Sequence, residues 1–160
     1  MIYIERKGGV SLKLMLQHKK ELQEIELEIR YPEMTKKVMQ MIQLIRQYDF
    51  VIEGFKEDKV YQISLDQVYY IESTDRKTFI YLDQDVYESR KTIQVIETMI
   101  DGSTMVRIGK SLLLNIAMIK SVKPYPNHRI MVELSNGEHL IVSRRYIGSL
   151  KERIRREYGT

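Results

Sequence analysis

The chain reads as a mostly β domain with helical additions, an α+β arrangement. Two observations predict it. From Phe50 onward, short runs rich in Val, Ile, Tyr and Phe recur about every eight to twelve residues with turn residues between them, the spacing of small antiparallel strands. Three other stretches repeat apolar residues at helical intervals instead.

Residues 1–11 carry little signal beyond the turn-prone Gly8-Gly9 pair. Leu12, Leu14 and Leu16 then alternate with Ser11, Lys13 and Met15, and Ile25, Leu27 and Ile29 alternate with glutamates, so a strand-turn-strand unit is expected across HKKELQ. A helix over Leu16–Leu27 remains an open alternative. Tyr31-Pro32 ends the run, because a residue before proline is steered toward extended geometry, and Thr35 is placed to cap a helix. Val38, Met41, Ile42 and Ile45 fall on one helical stripe that reaches about Tyr48, with Met34 and Met39 placed as a hydrophobic staple. Met39, Leu44 and Tyr48 widen that stripe, either to pack on the same domain or to form a dimer contact.

Phe50–Lys56 and Lys59–Ile63 flank Glu57-Asp58 as a hairpin, and Val68–Ser73 and Lys77–Leu82 flank Thr74-Asp75-Arg76 as a second. Asp83-Gln84-Asp85 turns the chain into a strand over Val86–Arg90. Thr92 caps a short helix marked by Ile93, Ile96 and Ile100. Met105–Gly109, the LLLN run after Lys110-Ser111, and Ile119–Lys123 read as strands. Arg129–Leu134 and Glu138–Val142 flank Ser135-Asn136-Gly137, and Asn-Gly between alternating apolar residues is the strongest short hairpin signal. Ser143 is placed to cap a final helix on Ile147, Leu150 and Ile154. Gly148 inside it costs stability, and close packing is the expected reason.

Composition excludes several classes. There are no cysteines, which removes disulfides and thiolate zinc sites. No apolar run is long enough to span a bilayer, so no membrane insertion is expected, and the N-terminus lacks the pattern of a signal peptide. A cytoplasmic protein is the expected class. His18, His128 and His139 are scattered without acidic partners at ligand spacing. No phosphate-binding glycine loop or nucleophile elbow occurs, so neither a catalytic constellation nor a cofactor is expected.

Charge is informative instead. Residues 106–157 hold 11 Lys or Arg against four acids, a net +7, while the whole chain is only +4. A basic surface sorted in this way meets a polyanion. Arg76 and Lys77 occupy a hairpin tip, where side chains project from a rigid support. Lys110-Ser111, an ammonium beside a hydroxyl at a strand end, suits phosphate. Arg144-Arg145 is the sharpest anomaly, since cations in the first turn of a helix oppose its dipole by about 0.3–1 kcal/mol each. A phosphate there would satisfy both the guanidinium groups and the free N–H groups. The competing reading folds one Arg over Tyr146 or pairs it with Glu138.

The runs VYYIES, VYESRKTIQVIETM, MVRIGKSLLLNIAMIKSV and LSNGEHLIVSRRYIGSLK, in this order, resemble the LytTR-type DNA-binding domain of bacterial transcription regulators. The resemblance covers about Val60 to Ile154 and divides the chain into an N-terminal segment, 1–57, and a LytTR-like domain, 58–160. It implies an elongated fold of about ten short strands in small sheets, with loops that enter successive major grooves and bend the DNA. Base contacts carried over by position fall on Arg76, Lys77, Lys110 and Arg145, with Ser111 and Arg144 beside them on phosphate. Family members often carry His or Asn where Arg76 and Lys110 stand. Residues 12–57 resemble the short N-terminal segment of stand-alone members, which lack a receiver domain and tend to accompany a small regulatory membrane protein; sites for such domains tend to be direct repeats, which implies paired binding or a homodimer. The expected function is therefore sequence-specific regulation of transcription on double-stranded DNA, without catalysis. An RNA-binding β domain, with Tyr69, Tyr70, Phe79 and Tyr81 as stacking platforms, and a basic protein-interaction module are the alternatives.

Overall fold

The computed structural model describes residues 2–4, 12–23 and 25–159, apart from the side chains of 2–4 and 46–49. Residues 1–32 form one compact unit and residues 33–160 another. In the first, β1 (Ile2–Ile4) pairs antiparallel with β2 (Leu12–Leu14). Leu12 and Leu14 thus enter a strand as their alternation predicts, but their partner is a segment with little signal of its own. Residues 25–30 form no strand, contrary to expectation, and Ile25 is 96% exposed. Alternation marks two faces, yet a strand also needs a neighbour for its backbone and a surface to bury against. The Gly8-Gly9 turn and the Tyr48 side chain lie outside the described residues.

The second unit begins with α1 (Lys36–Asp49), capped by Thr35, whose hydroxyl accepts from the Val38 N–H at 3.3 Å. It continues through β3 (Val51–Lys56), β4 (Lys59–Ser64), a 3-10 turn at Leu65–Gln67, β5 (Tyr70–Thr74), β6 (Lys77–Tyr81) and β7 (Val86–Ser89). Then come α2 (Ile93–Met99), β8 (Met105–Gly109), β9 (Leu112–Asn115), a 3-10 turn at Ile116–Met118, β10 (Ile119–Tyr125), β11 (Arg129–Leu134), β12 (His139–Val142) and α3 (Arg144–Tyr158). Helix α1 packs on α3, β4 and the Leu65 turn, which is packing on its own unit, and it leaves Leu44 55% exposed. Strand β3 pairs with β4 across Glu57-Asp58, so this hairpin spans position 57.

One antiparallel sheet has the order β4-β3-β7-β6-β5-β9-β8, and a second has the order β10-β11-β12. Alternation along the central strands feeds two cores. Ile71 and Leu113 point into a cluster with Ile80, Ile93 and Ile96, so α2 covers that face. Tyr70 and Leu114 point the other way, into a cluster with Val132, Val142 and Leu150, which joins α3 to both sheets. Burying each large aliphatic side chain contributes about 1.5–3 kcal/mol, and β5 and β9 are packed on both faces. Gly54 is required by close approach: a Cβ there would stand 2.6 Å from Ile63 Cδ1 and 2.8 Å from Tyr87 Cβ.

Gly148 is not closely packed, contrary to expectation, since an added Cβ meets nothing within 4 Å. With no clash to offset it, Gly148→Ala is expected to stabilise the protein by about 0.5–1 kcal/mol through helix propensity. The midpoint of urea unfolding checks this, and a fall in the midpoint would contradict it.

Candidate nucleic-acid interface

The strand register brings the basic turns to one end of the fold. The pairs Thr74↔Lys77 and Glu72↔Leu112 set the Asp75-Arg76 turn beside the Lys110-Ser111 turn that joins Gly109 to Leu112. A backbone bond from Ser73 N to Ser111 O, 2.9 Å, links these two turns. A second, from Ser143 N to Ile108 O at 3.0 Å, fastens the start of α3 to the strand leading into Lys110. Arg76, Lys110 and Arg144-Arg145 therefore stand on three neighbouring supports. The turns at the opposite end are acidic: Asp83 and Asp85 follow β6, and Glu138 precedes β12. The fold sorts charge along its strands.

Each support is built by local chemistry. Asp75 and Arg76 have φ of 49° and 64°, the left-handed pair of a type I′ turn whose twist matches the flanking strands. Thr74 belongs to β5, so the loop holds two residues and not the expected three. Glycine or asparagine is the usual occupant of a left-handed position, so Arg76 sits there despite the conformational cost. It is exposed. Lys77 is exposed too, with its Nζ 3.4 Å from Glu88 Oε2, a loose surface pair that contributes little. Lys110 is exposed and its ammonium has no acidic partner among the described residues, while the half-buried Ser111 serves through its backbone carbonyl.

At the start of α3, Ser143 takes the extended N-cap backbone, but its hydroxyl makes no capping bond, contrary to expectation. Its N–H is instead committed to Ile108. The first turn holds no acid, and Arg144 and Arg145 are both exposed. Glu138 takes a hydrogen bond from Asn136 Nδ2 at 3.2 Å and lies at the other end of β12, so it does not neutralise them. The Arg145 guanidinium stands 5.8 Å from the centre of the Tyr146 ring, at the outer limit of a cation–π contact. The helix start is left with uncapped N–H groups and two cations facing solvent, an arrangement that a bound anion relieves.

Sequence reasoning missed Arg107. Its Nη2 donates to the Lys110 carbonyl at 2.7 Å and its Nη1 to Glu97 Oε2 at 3.2 Å, so α2 braces the Lys110 turn through one guanidinium. A register shift between Arg107 and Gly109 bends β8 there, as bulges beside functional loops do. Arg90 and Lys91 were not singled out either. They follow β7, whose Ser89 pairs with Thr78, and so they lie at the same end as Lys77. Arg90 stacks over Phe55 at 3.9 Å, and Lys91 is exposed. The basic pair just ahead of the Thr92 cap was the available signal.

Tyr69, Tyr70 and Tyr81 do not form a free platform. Tyr70 is 8% exposed and stacks on Tyr81 with ring centres 4.3 Å apart. Burial, helped by the nearby Glu138 carboxylate, holds the Tyr70 hydroxyl well above its ordinary pKa, and burial raises Tyr81 likewise. Tyr69 and Tyr81 pack against the core shared with α3. Among the described residues, no helix is long and apolar enough to cross a membrane.

The family model for the LytTr DNA-binding domain matches residues 58–155. The sensory transduction protein LytT of Enterococcus faecalis is 30% identical over 98 residues, covering 61% of this chain and 40% of that protein. LytT of Bacillus anthracis is 22% identical over 131 residues, covering 79% of this chain and 53% of its own, and the transcriptional regulatory protein LytR of Staphylococcus aureus is 26% identical over 98 residues, covering 61% and 40%. The chain thus spans about two fifths to one half of the length of these relatives. A solved LytTr DNA-binding domain from Bacillus cereus superposes with a TM-score of 0.61 at 21% identity, over 65% of this chain and 95% of that one, which establishes the shared fold. The family match spans residues 58–155, more than half of the sequence, so the chain belongs to the LytTr DNA-binding domain family.

Proposed function

We propose that this protein regulates transcription in the cytoplasm by binding double-stranded DNA in a sequence-specific manner. Arg76 and Lys77, Lys110, and Arg145 enter successive major grooves, with Ser111 and Arg144 beside them on phosphate. The observation that carries the reading is the pair of backbone bonds, Ser73 to Ser111 and Ser143 to Ile108, which aligns three cationic supports on one end of a rigid sheet. Such pre-organisation lets binding proceed without first ordering loops. An arginine bidentate to guanine contributes about 1–3 kcal/mol of discrimination, while contacts to phosphate position the protein and make affinity fall with salt. Two copies bind together on direct repeats.

Selection from random duplex DNA tests this directly. The expected result is one enriched motif, retained in competition with single-stranded RNA; binding that prefers the RNA, or no enrichment, would refute it. Lys110→Ala is expected to weaken binding with less loss of selectivity than Arg145→Ala, and to reduce the salt slope by about 0.9, because an ammonium in the groove is a point charge that also acts on phosphate. A loss confined to the selected sequence, with an unchanged slope, would remove the phosphate part of that role.

A further inference from the structure

We infer that the hairpin formed by β10 and β11 is an additional DNA contact, an arm whose Lys123 and His128 hold backbone phosphates beside the footprint of the three turns; this rests on the duplex-binding reading above. Strand register carries the inference. Tyr125↔Arg129 closes the hairpin, and Ile130↔Val142 sets its neck one residue before Ser143, where α3 begins. The tip, residues 126–128, therefore projects from the same end of the fold as Arg144 and Lys110. The other turn of this sheet, with Glu138, lies at the far end.

Charge along the hairpin is graded in the same direction. At the far end Lys120 is neutralised by Glu133 at 3.1 Å, and the Ser121 hydroxyl donates to the same carboxylate at 2.9 Å. These two partners hold the Glu133 carboxyl below the usual carboxylate range, so it stays charged. Toward the tip, residues 122–132 contain Lys123, His128 and Arg129 and no Asp or Glu. Lys123 and His128 are exposed, and neither has an ion-pair partner among the described residues. A cation left unpaired at this end adds to the field of the other three supports.

The tip is stiff in a way that a solvated turn does not require. The Arg129 guanidinium lies 5.0 Å from the centre of the Tyr125 ring, and its Nε donates to the Pro126 carbonyl at 3.1 Å. Pro124 and Pro126 have fixed φ, and Asn127 and His128 sit in the left-handed region at 63° and 56°. Holding the arm in one shape reduces the ordering that binding would otherwise demand. The chemistry favours phosphate over bases. Arg129, whose planar fork suits guanine, is turned back onto its own tip, which leaves a lysine point charge and an imidazole to face the DNA.

The test uses the full chain carrying Lys123→Gln with His128→Asn, the latter because asparagine tolerates a left-handed backbone. On a duplex selected by the unsubstituted protein, the magnitude of the slope of log affinity against log salt is expected to fall by about 0.9 for the one ammonium removed. Hydroxyl-radical protection at one flank of the footprint should disappear, and the ranking of base substitutions within the site should stay the same. An unchanged slope with unchanged protection overturns the arm, and an altered base ranking overturns its assignment to phosphate. Failure of the unsubstituted protein to bind any duplex would overturn the DNA-binding reading first, and the arm with it.

Discussion

Arg145→Ala is expected to weaken specific duplex recognition severely while leaving the melting temperature nearly unchanged. The two effects have separate physical origins. On the proposed reading the guanidinium contacts a base edge, so its loss weakens binding to the selected sequence by about 1–3 kcal/mol, roughly five- to 150-fold. In the free protein the same side chain is exposed, near the positive end of α3, and only 5.8 Å from Tyr146. Removing it relieves about 0.3–1 kcal/mol of dipole repulsion and forfeits a weak cation–π contact of similar size, so the two nearly cancel. A gel shift on selected and scrambled duplexes, with thermal unfolding alongside, reads both. Full affinity in the variant removes Arg145 from the interface; a large drop in melting temperature would make it a structural residue.

Asn115→Ala is expected to have the largest effect on stability. Asn115 is fully buried where β9 meets the Ile116 turn, and each of its polar atoms is used. Its Oδ1 accepts from Thr104 Oγ1 at 2.7 Å and Ala117 N at 3.1 Å, while its Nδ2 donates to the carbonyls of Val68 at 2.8 Å and Leu65 at 3.3 Å. One side chain thus joins the entry to β5 with the end of β9, the two strands that support the Arg76 and Lys110 turns. Truncation strands several buried groups at about 1–3 kcal/mol each, with partial relief from neighbours such as the Val68 N–H, which also bonds Leu65 O. The expected loss is about 3–5 kcal/mol, a large share of the 5–15 kcal/mol typical of a folded domain. At about 2–4 °C per kcal/mol for a chain of this size, melting falls by roughly 6–20 °C. Denaturant unfolding measures it, and a loss under about 1 kcal/mol would show that the network is dispensable.

The two variants divide the labour of the domain. Arg145 is exposed, and its two effects on folding nearly cancel, whereas Asn115 is fully buried and joins the strands that support the cationic turns. Lys110 lies between them: its ammonium faces outward while its carbonyl is braced by Arg107.

Features that depend on a few consecutive residues were legible in the sequence. The Thr35 and Thr92 caps, the Glu57-Asp58 and Asn136-Gly137 turns, and the stripes of α1 and α3 follow from periods of 2 and 3.6 and from turn chemistry. The surplus of Lys and Arg after residue 106 was visible in the same way. Ile25–Ile29 shows the limit of such reasoning, because alternation describes a strand's faces and says nothing about whether another strand is there to pair with it. Ser143 shows it again: the right residue stands at the right place, but tertiary packing commits its N–H to Ile108 and its hydroxyl caps nothing.

Taken alone, the sequence determined that this is a small-stranded, cysteine-free basic domain whose cations collect in turns and at one helix start. That those cations share one end was decided only in three dimensions, by the order β6-β5-β9-β8 and by the seating of α3 on Ile108. The Arg107 brace and the Asn115 network were decided there too. The physical reason is that a side chain's identity is local, whereas the direction it faces depends on pairings between strands far apart in the chain, and the net charge of a segment carries no record of those pairings.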